Sequence, residues 1–304
     1  MSFKFTKLTI LASLAAVFLL IGIWGVFAPV SLGAKTTTVY TVEKGMGYKQ
    51  IGADLEKVGI IHNHGFFTLY ALATGSYGKL QAGAYEISPS MSVAQIVKKM
   101  VSGDVIENSL TIIEGWNLQD IASELESKKI MTSVDFLAAA KVAPDLDFLK
   151  DKPAKLSLEG YIFPDTYEFP IGAPASDLVK KALANFDKKL TPELRQAIVK
   201  QHKTIFQIVT MASIIEKEVQ TPEDKKMVSG ILWKRIKAGM PLQVDATVHY
   251  AIGNNNPLSV KDLKINSPYN TYNFPGLPQG PISNPGIDSI TATIYPVDSP
   301  YWYY

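Results

Sequence analysis

The sequence contains no cysteine, which removes disulfides, thiol nucleophiles and cysteine-ligated zinc from consideration. Histidine is scarce: there are 4, at positions 62, 64, 202 and 249, and only His62-x-His64 has a spacing that a metal site would use. That pair falls in a turn-like stretch, and no metal or cofactor is expected. Charge is also thin. Charged residues make up 19% of the chain and leave a net charge of +2, without the basic footprint that a nucleic-acid partner requires. What is present is apolar: 47% of 304 residues, enough for about two domains.

The apolar residues concentrate first at the N-terminus, where residues 8–27 carry no charge. As a helix this run would extend about 30 Å, the thickness of a bilayer core. Lys4 and Lys7 precede it and the next basic residue is Lys35, so the positive-inside rule puts the short N-terminus in the cytoplasm and the remainder outside. A cleaved signal peptide has a shorter apolar region and a small-residue cleavage site. The expectation is an uncleaved anchor.

A repeat follows. Gly45, Ile51, Leu55 and Ile60 recur at a constant offset as Gly115, Ile121, Leu125 and Ile130. Each copy reads as a short strand, a glycine turn and an amphipathic helix. A weaker copy, YEISPSMSVAQIVKKMVSG, lies between them, with Ser92 and Gln95 as a capping box. No copy is long enough to bury a core alone, so the three are expected to pack as one small α/β domain. They loosely resemble LysM-like modules that bind cell-wall sugars; a packing repeat without ligand explains the same pattern.

Further on, residues 158–170, LEGYIFPDTYEFP, are dense in aromatics and proline and read as rigid, irregular structure. Helices are expected over residues 177–186 and 192–202. Residues 204–239 then read as two helices joined by a turn. Thr204 and Gln207 form a capping box, and Thr221-Pro222-Glu223 supplies an N-cap, a proline at the first helical position and an acid in the first turn. The first of these helices is apolar almost all round and should be buried. Yet it carries Glu216, which a helical wheel sets among the core residues, and Glu218, which falls beside Met211 and Ile214. A carboxyl in such a setting holds its proton to higher pH, as a general acid at a glycosidic oxygen must. Two helix-end glutamates, one solvated and one paired with a base, fit the same pattern.

After Gly239 the composition shifts. Asp245 reads as the N-cap of a short helix ending near Gly253, and residues 254–285 form a long loop rich in Pro, Gly, Asn and Tyr. A loop of this length in a compact domain is functional or disordered, and its aromatics argue against disorder. Tyrosine faces beside Asn, Gln and Thr suit a sugar-binding cleft; a structural loop wrapped over the helices is the alternative.

Four stretches in order, EGYIFPDTYEF, MASIIEKE, GMPLQVDATVHYA and SPYNTY followed by GLPQGPISNPG, together resemble the endolytic murein transglycosylase family, the MltG or YceG-like group. The resemblance implies an α+β protein: an anchor over residues 1–34, a LysM-like α/β domain over 35–131, and a mostly helical catalytic domain with irregular loops and a few strands over 132–304. It implies cleavage of the β-1,4 bond between N-acetylmuramic acid and N-acetylglucosamine within a strand. The muramoyl C6 hydroxyl attacks in place of water and leaves a 1,6-anhydro end, which limits the length of nascent strands. One glutamate serves as acid and then base; it matches Glu218, with Glu216 in support. Gln243, Asp245, Thr247, Tyr269, Asn270, Thr271, Tyr272 and Asn284 become the expected substrate-binding residues. No metal or cofactor is implied. The implied partners are peptidoglycan strands, the bacterial inner membrane and the peptidoglycan synthases at its outer face. The family normally continues beyond the aromatic strand that residues 301–304 resemble. Two other readings stand beside this one: a peptidoglycan-binding scaffold without turnover, and a hydrolytic muramidase using Asp245 as its second carboxylate.

Overall fold

The computed structural model describes residues 2–304, with side chains from Thr9 onward. The side chains of Lys4 and Lys7, on which the expected membrane orientation rests, lie outside the described residues. The chain forms two compact units: Met1–Asn108 with Pro170–Ala173, and Ser109–Phe169 with Pro174–Tyr304.

The first unit begins with α1 (Ser2–Phe27). Its stretch Thr9–Phe27 is long and apolar enough to cross a membrane and only 11% of it is buried. The covered part is the last turn, where Val26 is buried and Trp24 stacks on His62 with ring centroids 4.7 Å apart. After it come β1 (Thr38–Val42), α2 (Tyr48–Lys57), α3 (His64–Ala73), β2 (Gly83–Ile87) and α4 (Val93–Ser102). β1 and β2 pair antiparallel with Tyr40 opposite Tyr85. Ile51 and Leu55 of α2, Phe67 of α3, Tyr85 and Ile87 of β2, and Ile96 and Met100 of α4 form one core. The Ser92–Gln95 capping box is present and Gly103 closes α4 in the left-handed conformation.

The second copy of the repeat, β3 (Glu107–Thr111) and α5 (Leu118–Ser127), does not join this core. β3 takes its partner from far along the chain. After α6 (Ser133–Ala139) comes β4 (Thr166–Pro170), the end of the segment expected to be wholly irregular, and β3 pairs with it. The Thr111 and Thr166 hydroxyls lie 2.9 Å apart, and the Ile112 N–H donates to the Asp165 carbonyl at 2.9 Å. Tyr167 and Phe169 of β4 are buried, alternating with exposed neighbours as a half-covered strand requires. The three copies therefore do not share one core, and the first compact unit runs to Asn108.

The remaining helices of the second unit are α7 (Ala175–Lys189), α8 (Pro192–Lys200), α9 (Ile205–Glu218), α10 (Pro222–Lys237), α11 (Asp245–Ile252) and α12 (Ile287–Ile294). α9 is the centre: every residue from Ile208 to Ile215 is buried, and α8, α10, α11 and α12 all pack against it. Its Thr204–Gln207 capping box and the Thr221 cap of α10 form as expected. α3 and α12 have no counterpart in the sequence reading. The loop between α11 and α12 contains only a single 3-10 turn, Asp262–Lys264. Residues 301–304, expected as a strand, are irregular. They are held instead by cations at the end of α10, with Lys234 Nζ 4.4 Å from the centroid of Trp302 and the Arg235 guanidinium 5.0 Å from that of Tyr303.

Beyond α12 the chain lies along α10, where the Val297 N–H donates to the Lys226 carbonyl at 3.1 Å. A side chain at Gly230 would overlap the Val297 carbonyl oxygen, so this approach depends on glycine. Helix propensity alone favours alanine there by about 1 kcal/mol, whereas forced overpacking costs about 1–3 kcal/mol. The obstacle is backbone and cannot rotate away, so the second effect should win. Gly230→Ala is expected to lower the thermal unfolding midpoint of the detergent-solubilised chain; a raised midpoint would show that the segment is not held against α10.

Candidate functional site

The last turn of α9 sends its two glutamates to opposite destinations. Glu216 turns inward. Its Oε1 accepts from Lys225 Nζ at 2.9 Å and its Oε2 from the Gly286 N–H at 2.8 Å. The side chains of Glu216 and Lys225 are 7% and 4% exposed. One carboxylate thus joins α9, α10 and the N-terminus of α12. Glu218, two residues on and therefore about 200° around the helix, is half-buried. Its Oε2 accepts from the Tyr304 hydroxyl at 3.1 Å. Loss of solvent raises its pKa and the charge of Asp245 adds to the rise, while the Tyr304 hydroxyl opposes it.

Glu218 and Asp245 both line two cavities. The smaller, about 340 Å³, is completed by Arg235, Gln243, Tyr272, Tyr303 and Tyr304. The larger, about 830 Å³, includes Glu159, Lys217, His249, Tyr250 and Tyr269. Asp245 is not the N-cap expected of it. Val244 holds that position, and Asp245 is the first residue of α11. Its Oδ1 instead accepts from the Tyr272 hydroxyl at 2.5 Å. Burial and this bond push the Tyr272 phenol up to about 12. Gln243 adopts a left-handed φ of 54°, and its Oε1 accepts from Arg235 Nη2 at 2.8 Å.

Four of the expected substrate-binding residues are buried and line neither cavity. They shape the walls. Thr247 donates to the Val244 carbonyl at 2.7 Å, and its hydroxyl lies 2.9 Å from that of Thr271. Thr271 Oγ1 accepts the Val244 N–H at 3.0 Å. Asn270 Nδ2 donates to the Leu263 and Ile265 carbonyls at 3.0 and 2.9 Å, and its Oδ1 accepts the Tyr272 N–H at 3.0 Å. Asn284 donates to the Trp116 carbonyl at 2.9 Å and accepts the Ile162 N–H at 2.9 Å. In a long loop that lacks ladders, side-chain amides and hydroxyls satisfy the buried backbone.

The sequence reading missed Glu159. It is 5% exposed, and burial pushes its pKa up to about 8 against the pull of the Leu118 N–H and the Tyr250 hydroxyl. The available signal was a single acid between Leu158 and the apolar run from Tyr161. Gly160 follows with φ 88°, and a side chain there would overlap Pro281 and Val209. Among the described residues no group of three or more His, Asp or Glu is arranged to hold a metal.

The second unit thus holds one half-buried carboxyl, Glu218, in the lining of both cavities. The YceG-like family matches residues 40–304. The chain is 32% identical over 306 residues to an endolytic murein transglycosylase of Streptococcus pneumoniae serotype 2 (strain D39), covering 91% of this chain and 55% of that protein. It is 32% identical over 290 residues to the endolytic murein transglycosylase of Bacillus subtilis (strain 168), covering 91% and 80%. A crystal structure of a yceG-like protein from Listeria monocytogenes superposes with a TM-score of 0.58 at 34% identity, over 89% of this chain and 93% of that one. This chain belongs to the YceG-like family, and it spans about half the length of the pneumococcal relatives.

The buried pair supplies a stability test. Removing one partner of a buried ion pair leaves an uncompensated charge and costs about 3–5 kcal/mol, whereas an apolar replacement of both is far milder. Glu216→Ala should therefore cost about that much in chemical denaturation, and Glu216→Leu combined with Lys225→Met should recover most of it. Equal losses in the single and double variants would contradict the pairing.

Proposed function

We propose that this protein is a membrane-anchored endolytic lytic transglycosylase. It would cleave the MurNAc-β-1,4-GlcNAc bond of peptidoglycan strands and leave 1,6-anhydroMurNAc ends, so limiting nascent strand length. The observation that carries the reading is Glu218, a carboxyl with a raised pKa where two clefts meet, in a chain whose relatives bear that name. A strand lying through both cavities would present one glycosidic oxygen to it. Neutral Glu218 donates its proton to the departing GlcNAc O4 as the C1–O4 bond breaks. The carboxylate then takes the proton of the muramoyl C6 hydroxyl as the C1–O6 bond forms, which restores the starting enzyme. Each atom is balanced without water, and one acid suffices because the nucleophile belongs to the substrate. The charge of Asp245 favours both the protonated acid and positive charge developing at C1.

In this reading α1 is a single-pass anchor in the inner membrane, with the rest of the chain outside the cytoplasm, where strands and peptidoglycan synthases are met. The strand–turn–helix copies of the first unit would be a LysM-like contact to glycan. Asp245 also favours a second reading: it shares both cavities with Glu218, as the second carboxylate of a hydrolytic muramidase would.

Glu218→Gln keeps the size and one oxygen of the side chain but removes the proton. Murein digestion should fall by about 10²–10⁴-fold, the usual worth of general acid–base help, with the unfolding midpoint little changed. Glu216→Gln should show the reverse, a lowered midpoint with turnover retained in the folded fraction. A folded Glu218→Gln enzyme that still cuts at the wild-type rate would remove Glu218 from the chemistry.

A further inference from the structure

The proposed mechanism leaves a second buried carboxyl unused. Glu159 accepts the Leu118 N–H at 3.2 and 3.1 Å on its two oxygens, Asn284 Nδ2 at 3.2 Å and the Tyr250 hydroxyl at 3.2 Å. Three donors from three separate segments converge on it, so its position is fixed from all sides. The Tyr250 ring lies against Tyr269 with centroids 4.9 Å apart and planes inclined at 55°. Both rings line the larger cavity, which also holds Glu218, Asp245 and the polar side chains of Asn117 and Asn254. Inclined aromatic rings in a cavity that also carries amides suit a pyranose, whose apolar face stacks while its hydroxyls find partners.

We propose that Glu159 is a positioning residue: by holding the Tyr250 hydroxyl it fixes the Tyr250–Tyr269 pair as a platform for one sugar ring, and so sets strand affinity in the larger cavity. The proposal rests on the peptidoglycan reading above and adds a residue that acts on binding, apart from the proton transfer at Glu218.

Its protonation state has a consequence. An ordinary carboxyl titrates near 4.5, and burial carries Glu159 to about 8. Asp120 of α5 adds to the rise, the Leu118 N–H and Tyr250 hydroxyl oppose it, and the Tyr250 and Tyr269 phenols are themselves raised, so they keep their protons through this range. Lys141, Lys217, His249, Asp245 and Glu218 stand around the same cavity. The folded chain keeps the Glu159 proton between about 4.5 and 8 while an unfolded chain loses it. The contribution to stability is therefore fully present below 4.5 and is lost as pH rises through 8. Above 8 a buried negative charge sits beside the platform.

The test measures binding of chitohexaose to the full chain in detergent, in the Glu218→Gln background so that turnover cannot intervene. With a group titrating near 8, affinity should weaken roughly tenfold between about pH 7 and pH 9. Adding Glu159→Gln, which imitates the neutral acid, should abolish that pH dependence while retaining binding. Adding Tyr250→Phe should weaken binding by up to about tenfold at pH 7, the scale of one lost hydrogen bond. The same pH profile with and without Glu159→Gln would overturn the proposal. So would parent-like binding by Tyr250→Phe, or no binding of chitohexaose by the parent at any pH. If these shifts appear while the wild-type chain leaves murein uncut, the transglycosylase reading fails and the platform stands.

Discussion

The second unit depends on one buried carboxylate. Glu216 sits in the last turn of α9, and its two oxygens are taken by Lys225 and by the Gly286 N–H. A helix end leaves backbone groups unsatisfied, and here a single buried side chain ties one helix end to the flank of a second helix and the start of a third. The ion pair need not add net stability, since desolvation offsets much of the attraction. Its consequence is geometric. With Glu216 locked inward, the helical rotation leaves Glu218 facing the clefts, and the desolvation that raises its pKa follows from that placement.

The loop between α11 and α12 works in the same indirect way. Of its sugar-suited residues, Tyr269 and Tyr272 reach the cavities, while Asn270, Thr271 and Asn284 hold the backbone that carries them. Gln243 and Asp245 line the smaller cavity, and each is anchored by another side chain, Arg235 and Tyr272. The site is a set of polar pairs inside a frame of buried amides, which suits a cleft that must stay open without regular secondary structure.

Most local signals in the sequence were reliable. Capping boxes at Ser92 and Thr204 and the Thr221-Pro222 start are decided by neighbours within a turn, and all three form. The wheel placed Glu216 in the interior because periodicity is also local. Apart from the N-cap expected at Asp245, which falls to Val244, what failed depended on distant partners. β4 is a strand because β3 lies beside it, and the second repeat copy left the first unit for the same reason. α12 follows the proline-rich loop directly, without a side-chain cap to mark its start. Glu159 sat in plain view within a quoted stretch, but its burial comes from α5, α11 and Asn284, which no window around residue 159 contains.

The central claim is that one carboxyl, Glu218, moves both protons while the substrate supplies its own nucleophile. Digestion of purified murein by the full chain in H₂¹⁸O tests this most directly. The account predicts anhydro-muramoyl ends free of ¹⁸O, formed by the wild type and absent with Glu218→Gln. Reducing ends carrying ¹⁸O would mean that water is the nucleophile and would contradict it.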